Sequence, residues 1–222
     1  MSGEAWQIVF FTLKTSALST LLILPFGIAI AWLLARRVWP GKAIVETAVM
    51  LPLFVPPVAT GLLLLLLFGR NGPLGSALNH AGIEVVFTWR AVVIACAVMS
   101  FPLLVRTAQS AFQEVNVRFE DIARTLGANE WRVFLSISLP LALRGVLAGT
   151  ILSFARAMGE FGATAVVAGI IPQKTMTISL SIYQHVQLGQ DAAALPLLLV
   201  SIAIVFVTVF CGQIISMRKR VR

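Results

Sequence analysis

Three stretches of this chain run for 21 to 26 residues without a charged side chain: residues 15–35, 47–69 and 192–217. A helix needs about 20 apolar residues to cross the hydrocarbon core of a bilayer, so each stretch is long enough to span a membrane. Only 12% of the residues are charged, whereas 59% are hydrophobic. The chain is therefore predicted to be an all-α bundle of membrane-spanning helices.

Two further stretches complete the predicted number of spans. Residues 91–105 are uncharged up to Arg106, whose long side chain can reach an interface. Residues 133–173 are interrupted only by two arginines and one glutamate, and they have room for one long span and an additional segment. About five spans are expected, with six as the alternative.

Lysine and arginine collect in alternate connections between these spans. The clusters follow the first, third and last spans: Arg36, Arg37 and Lys42; Arg118, Arg124 and Arg132; and Arg218, Lys219, Arg220 and Arg222. Basic residues are retained on the cytoplasmic side during insertion, so these connections are predicted to be cytoplasmic, with the N-terminus outside and the C-terminus inside. The net charge of +8 is thus interpreted as a determinant of topology and not of nucleic-acid binding.

The first apolar stretch could instead be a cleaved signal peptide. Its apolar run exceeds the roughly 7–15 residues of a signal-peptide core, and its basic residues follow the run where a signal peptide carries them before it. We interpret it as an uncleaved span.

Catalytic chemistry is not predicted within the chain. It has no glycine-rich P-loop sequence of the kind that holds ATP phosphates, and its two histidines, His80 and His185, lack the neighbours of a metal site. Glu160 is the single acidic residue in the apolar stretches, whereas proton-driven carriers need several buried ionisable groups. No catalytic residue, metal or cofactor is expected. Energy for any pumping must come from a partner.

The connection at residues 114–131 does not have the composition of a simple linker. Four apolar residues recur at the i, i+3, i+4, i+7 spacing of an amphipathic helix: Phe119, Ile122, Ala123 and Leu126. Gly127 is placed to end that helix, and Asn129 to cap a second helix that begins near Glu130. Helices that lie on lipid favour a polar face rich in lysine and arginine, but this face is mixed. A protein partner is the preferred interpretation.

The sequence DIARTLG at residues 121–127, followed after nine residues by ISLP at 137–140, resembles the E-A-A-x-x-x-G-x(9)-I-x-L-P signature of ABC importer permeases. Asp121 stands where that family usually has glutamate, and Ile122 where it has alanine. The resemblance implies one MetI-like permease domain over residues 1–222, with a cytoplasmic coupling loop at about 113–137 that docks on a separate ATPase. The implied coupling residues are Glu120, Asp121, Ala123, Leu126, Gly127, Ile137, Leu139 and Pro140.

The physical chemistry of the loop suits that role. The apolar stripe offers anchors for a protein contact. Glu120 or Asp121 is expected to pair with a basic residue across it.

Other segments extend the resemblance over most of the chain, namely LPFG at 24–27, LPL at 51–53, SFPL at 100–103, and SFAR at 153–156 with GEFGA at 159–163. Together they resemble the molybdate permease subfamily. Sulfate permeases share the last of these segments and are the alternative, although they are usually longer. The resemblance implies a non-catalytic homodimeric permease of the inner membrane, with two P-loop ATPase subunits, an external molybdate-binding protein, and tungstate as a co-substrate. A stand-alone carrier or channel, or a scaffold, would lack such a loop.

Arg156 and Glu160 place two charges inside the fourth apolar region. At i, i+4 spacing they can pair with each other on a helix, which lowers the cost of intramembrane charge, and this is the preferred interpretation. The alternative is a place on the translocation path, because Arg156 lies about 27 Å from the inner face, near the outer mouth, where it could attract a dianion. Arg144 is interpreted as an interfacial residue.

Overall fold

The computed structural model describes residues 3–217, with side chains to residue 214. The described residues form helices joined by short turns, in the order α1 (Gly3–Arg36), α2 (Lys42–Phe54), α3 (Pro57–Phe68), α4 (Pro73–His80), α5 (Trp89–Gln113), α6 (Val117–Thr125), α7 (Glu130–Val133), a π-helical turn (Phe134–Ser138), α8 (Leu139–Met158), α9 (Gly162–Val167), α10 (Ile178–Gln187) and α11 (Asp191–Met217). The predicted all-α class is confirmed. The final basic cluster, on which the predicted side of the C-terminus depends, lies outside the described residues.

Four of the described helices are long and apolar enough to cross a membrane: α1, α5, the continuous helix Glu130–Met158, and α11 over Asp191–Ile214. Helices α2 and α3 qualify only as a pair, and they are bent by 111° relative to each other. The total is five when this pair counts as one broken span, in agreement with the predicted number. The stretch 47–69, expected as one span, is therefore divided into two helices.

Two consecutive prolines explain that division. Proline has no backbone N–H, and its ring disfavours the helical conformation in the residue before it. Val55 and Pro56 are accordingly extended, with ψ angles of 135° and 131°. Pro57 then occupies the first turn of α3. The N–H groups of this turn make no hydrogen bond within the helix, so proline costs nothing there.

Helix α5 lies at the centre of the bundle, between α1 and α8. Gly27 of α1 lies against Leu104 of α5, and Gly149 of α8 lies against Thr107. Small residues at such contacts let helix backbones approach closely, which is a main source of packing energy inside a membrane. The buried residues of α5 are therefore mostly small or medium in size.

A second layer covers the N-terminal half of α5. Leu64 of α3 and Ala163 and Val167 of α9 pack there in one cluster with Cys96 and Met99 of α5. Towards the C-terminal end of α5, helix α2 packs beside it instead. Val49 of α2 joins the cluster that includes Val105 and Ala108, and Gln109 Nε2 donates to Glu46 Oε1 at 2.9 Å.

Candidate functional site

The loop between α5 and the helix that starts at Glu130 folds as its sequence predicts. Gly127 has a φ of +84°, in the left-handed region. The Ala128 N–H donates to the Ala123 carbonyl at 3.0 Å, and the Gly127 N–H donates to the Arg124 carbonyl at 3.0 Å. These two bonds form a Schellman motif, which stops a helix at a glycine. The predicted helix stop at Gly127 is confirmed.

The predicted second helix is also present. The Asn129 side chain accepts a hydrogen bond of 2.8 Å from the Arg132 N–H and caps a helix that begins at Glu130. A π-helical turn over Phe134–Ser138 follows before α8. Such turns are rare and often occur at functional positions. Of the signature residues in this part, Ile137 lies in the turn, and Leu139 and Pro140 begin α8.

The apolar stripe of α6 has no covering element in the described chain. Phe119, Ile122 and Leu126 are exposed by 53%, 57% and 82%, and Ala123 beside them is half-buried. Large apolar side chains grouped on one exposed face mark a contact surface. We call these four residues the α6 stripe.

Glu120 lies on the opposite, buried side of α6. Its Oε1 accepts hydrogen bonds from Arg36 Nε at 2.8 Å and from Ser138 Oγ at 2.7 Å. Arg36 also donates from Nη2 to the Val115 carbonyl at 2.9 Å. The Arg36 and Glu120 side chains are only 8% and 1% exposed. This arrangement, which we call the Arg36–Glu120 clamp, joins the C-terminal end of α1, helix α6 and the residue before α8.

Arg124 ties the two short helices of the loop together. Its Nε lies 2.8 Å from Glu130 Oε1, and its Nη1 lies 2.8 Å from Asp121 Oδ1. The hydrogen bond to Glu130 raises the pKa of the Arg124 guanidinium above its ordinary value. Arg37, next to the clamp, also pairs with Glu130 at 3.2 Å. The loop is therefore held both internally and to the end of α1.

These contacts separate the two carboxylates that were predicted to face a partner. Asp121 is 63% exposed at the edge of the α6 stripe. Glu120 is turned inward and already paired, so it holds the loop in place and does not offer a charge at the surface. This pairing could not be predicted from the local sequence, because Arg36 is 84 residues away from Glu120.

The charged pair at the C-terminal end of α8 forms as predicted. Arg156 Nη1 lies 2.8 Å from Glu160 Oε2, with the carboxylate 1% exposed and the guanidinium side chain 28% exposed. Helix α8 ends at Met158, so the pair bridges the helix end and is not within a continuous helix. Glu160 Oε1 also accepts a 2.9 Å hydrogen bond from the Ala163 N–H in the first turn of α9. Its place on a translocation path stays a prediction.

Residues 23–221 match the family described as "Binding-protein-dependent transport system inner membrane component". The chain belongs to this family. The resemblance of residues 121–140 to an ABC importer permease signature is thereby confirmed at the level of the family.

Relatives in this family align over nearly the whole chain. The chain is 46% identical to the "Molybdenum transport system permease protein ModB" of Escherichia coli, over 100% of its own length and 98% of that protein. It is 40% identical to the protein of the same name in Haemophilus influenzae, over 94% and 92% of the two chains. A "Sulfate transport system permease protein CysW" of Synechocystis is 37% identical over 87% of this chain and 70% of its own length.

Solved structures of importers share the fold of this permease family member. An inward-facing form of the "MetNI methionine ABC transporter" superposes with a TM-score of 0.75, at 18% identity, over 99% of this chain and 100% of the other. A bacterial alginate ABC transporter superposes with a TM-score of 0.75, over 98% and 80% of the two chains. The predicted MetI-like arrangement of helices is confirmed.

Proposed function

We propose that this chain is the membrane-spanning permease subunit of an importer for molybdate, with tungstate as a co-substrate. The proposal rests on the 46% identity, over the full length of this chain, to a molybdenum transport permease. The sulfate permease relative matches over only 70% of its own length. Sulfate or thiosulfate is therefore the second candidate cargo.

In this proposal, two separate P-loop ATPase subunits supply the energy for import. They dock on the coupling loop at about 113–137, and the whole chain forms a single permease domain. The α6 stripe supplies large exposed apolar anchors, and contact energy concentrates in such residues. Asp121 at its edge pairs with Arg124 but is 63% exposed, so its carboxylate can also face a basic residue of the ATPase. A second copy of the chain and an external binding protein complete the proposed assembly.

The Arg36–Glu120 clamp supports a role for this loop in transmission. Glu120 bonds to Arg36 at the end of α1 and to Ser138 just before α8. A displacement of α6 by a partner would therefore act on two spans at once. We infer that Ile137, Leu139 and Pro140 act in the same transmission, because they form the junction between the loop and α8.

Removing this chain should abolish high-affinity molybdate uptake and leave sulfate uptake nearly unchanged. The physical reason is that a dianion crosses a bilayer only through protein, and the proposal makes this chain its route. Uptake of labelled molybdate and labelled sulfate by cells with and without the chain measures the effect, with re-expression as the control. Lost sulfate uptake with intact molybdate uptake would favour sulfate or thiosulfate as the cargo.

When the chain is purified from membranes, an ATPase subunit should co-purify with it in equal number.

Single cysteines at Val38 and at His80 should label from opposite sides of the membrane. Both positions are exposed and lie before and after the bent α2–α3 pair, which we propose crosses the membrane once. In a Cys96→Ala, Cys211→Ala background, an impermeant thiol reagent applied outside should modify position 80, and position 38 only after permeabilisation. Labelling of both from the outside would make α2–α3 a re-entrant loop and overturn the proposed orientation.

A further inference from the structure

A cavity of about 700 Å³ lies between the N-terminal part of α1, helix α10 and the N-terminal part of α11. On α1 it is lined by Glu4, Gln7, Ile8 and Phe11, which recur at the spacing of one helix face. Its volume is within the range of about 300–1,000 Å³ that is typical of sites for small ligands. The coupling loop and the Arg156–Glu160 pair do not line it, so it is separate from the features described above.

The three helices around this cavity are packed against one another. Val9 of α1, Ile178 of α10 and Leu197 of α11 are buried in one hydrophobic cluster. The Ile178 N–H also donates to Thr12 Oγ1 at 2.9 Å, which joins the start of α10 to α1. The cavity is therefore enclosed by fixed walls and is not a gap between loosely packed helices.

Ser181 of α10 brings a buried hydroxyl to the cavity. The residue is only 2% exposed, and it lines the cavity. A hydroxyl in a helix usually donates to a carbonyl three or four residues earlier, as Thr12 and Thr15 do in α1. The Ser181 hydroxyl has no hydrogen-bond partner within residues 3–214. Since an unpaired buried hydroxyl is costly, a polar ligand group gains a hydrogen bond there.

The charge of the lining favours a cationic ligand group. Glu4 contributes a carboxylate, and the lining includes no lysine or arginine of the described chain. Within residues 3–214, Glu4 forms no ion pair. The side-chain amides of Gln7 and Gln184 add both donors and acceptors. An oxyanion would meet a like charge here, whereas an ammonium group finds a partner.

Two exposed tryptophans indicate that the cavity lies at the level of lipid headgroups. Trp6 is in the first turns of α1, and Trp89 begins α5. Phe11 packs against the cluster that includes Val92, so α1 and α5 begin at the same end of the bundle. Tryptophan is enriched at the interface between membrane and water. Glu4 is two residues from Trp6, which places its carboxylate near this interface.

We propose that this cavity binds the headgroup of a phosphatidylethanolamine molecule. The ammonium donates to the Glu4 carboxylate and the Ser181 hydroxyl, and the phosphate accepts from the glutamine amides. The acyl chains lie along the exposed apolar side chains of α1 and α11, such as Phe10 and Leu199. A primary ammonium has three N–H donors, whereas the quaternary ammonium of choline has none and a glycerol headgroup has no positive charge. The bound lipid joins α1, α10 and α11, whatever the cargo of the protein.

Native mass spectrometry of the purified protein, mixed with equal amounts of phosphatidylethanolamine, phosphatidylcholine and phosphatidylglycerol of the same acyl chains, tests the proposal. Phosphatidylethanolamine should be retained about tenfold over the other two lipids, because hydrogen bonds between charged groups are the strong ones. Glu4→Gln should remove most of this preference, and Ser181→Ala should reduce it. Glu84→Gln is the matched control, since Glu84 is exposed before α5 and does not line the cavity. Equal retention of the three lipids, or an unchanged preference in Glu4→Gln, would overturn the proposal.

A soluble amine could offer the same headgroup chemistry, and a competition experiment separates the two sources. Phosphoethanolamine has the charged groups of the lipid without its acyl chains, which add buried apolar surface to the contact. It should therefore displace bound phosphatidylethanolamine only in large excess. Displacement at equal concentration would assign the cavity to a soluble amine and overturn its assignment to a lipid. The unfolding temperatures of the Glu4→Gln and Ser181→Ala variants without added lipid should match that of the wild type, and a fall in either would assign its loss of binding to misfolding.

Discussion

Replacing Gly127 with aspartate should abolish molybdate uptake while the chain stays in the membrane at its normal amount. The left-handed backbone at Gly127, with a φ of +84°, costs a residue with a side chain about 1–2 kcal/mol. A Cβ at this position would meet no atom within 4 Å, so the bundle itself is not disturbed. The added carboxylate and the altered turn instead fall beside Leu126, in the α6 stripe. Uptake, membrane abundance and retained ATPase should be measured together.

Two other glycines provide matched controls for this prediction. Gly82 and Gly189 have φ angles of +72° and +68° and the same open surroundings. Both end a helix with the pair of hydrogen bonds seen at Gly127. Aspartate at either position adds the same backbone strain on the side proposed to be external. Normal uptake by Gly127→Asp would show that the loop does not transmit the ATPase motion, and equal loss in all three variants would assign the effect to backbone strain.

Removing the Glu120 side chain should be the most destabilising single change in the loop. Glu120→Ala leaves the Arg36 guanidinium buried without its carboxylate, and breaking a buried ion pair in this way costs about 3–5 kcal/mol. The unfolding temperature in detergent should fall, and ATPase retention and uptake should fall with it. The double variant Arg36→Met, Glu120→Leu should recover much of the stability, because it removes both charges together.

The neighbouring carboxylate is the control for this experiment. Asp121→Ala removes a pair with Arg124 in which the aspartate is 63% exposed, and exposed pairs contribute about 1 kcal/mol or less. The unfolding temperature of the Asp121→Ala variant should stay close to that of the wild type. If Glu120→Ala unfolds at the wild-type temperature, the Arg36–Glu120 clamp does not hold the loop.

The features that could be predicted from the sequence are those determined over a few residues. The helix stop at Gly127 and the cap at Asn129 depend on one turn of backbone and on side chains within three positions. The α6 stripe follows from helical periodicity alone. The spans follow from the cost of leaving peptide groups unpaired in lipid, which makes long apolar runs helical.

The features that were not predicted depend on contacts between distant segments or on a local competition between signals. The inward turn of Glu120 is decided by Arg36 and Ser138, and neither residue is marked by its own surroundings in the chain. The division of residues 47–69 into two helices is caused by Pro56 and Pro57, which are evident in the sequence. The long apolar run nevertheless predicts a single span, because proline kinks are common within single spans.

The bend between α2 and α3 also determines where this segment can reside. The carbonyls of Pro52 and Leu53 would normally accept from the residues four positions on, but those positions are Pro56 and Pro57, which have no N–H. A carbonyl left without a donor in hydrocarbon costs several kcal/mol. Acyl chains are therefore a poor solvent for this corner of the molecule. Water or a neighbouring polypeptide has to supply hydrogen-bond donors to these two carbonyls. They are therefore less completely hydrogen-bonded in the isolated subunit in lipid than in the assembled transporter.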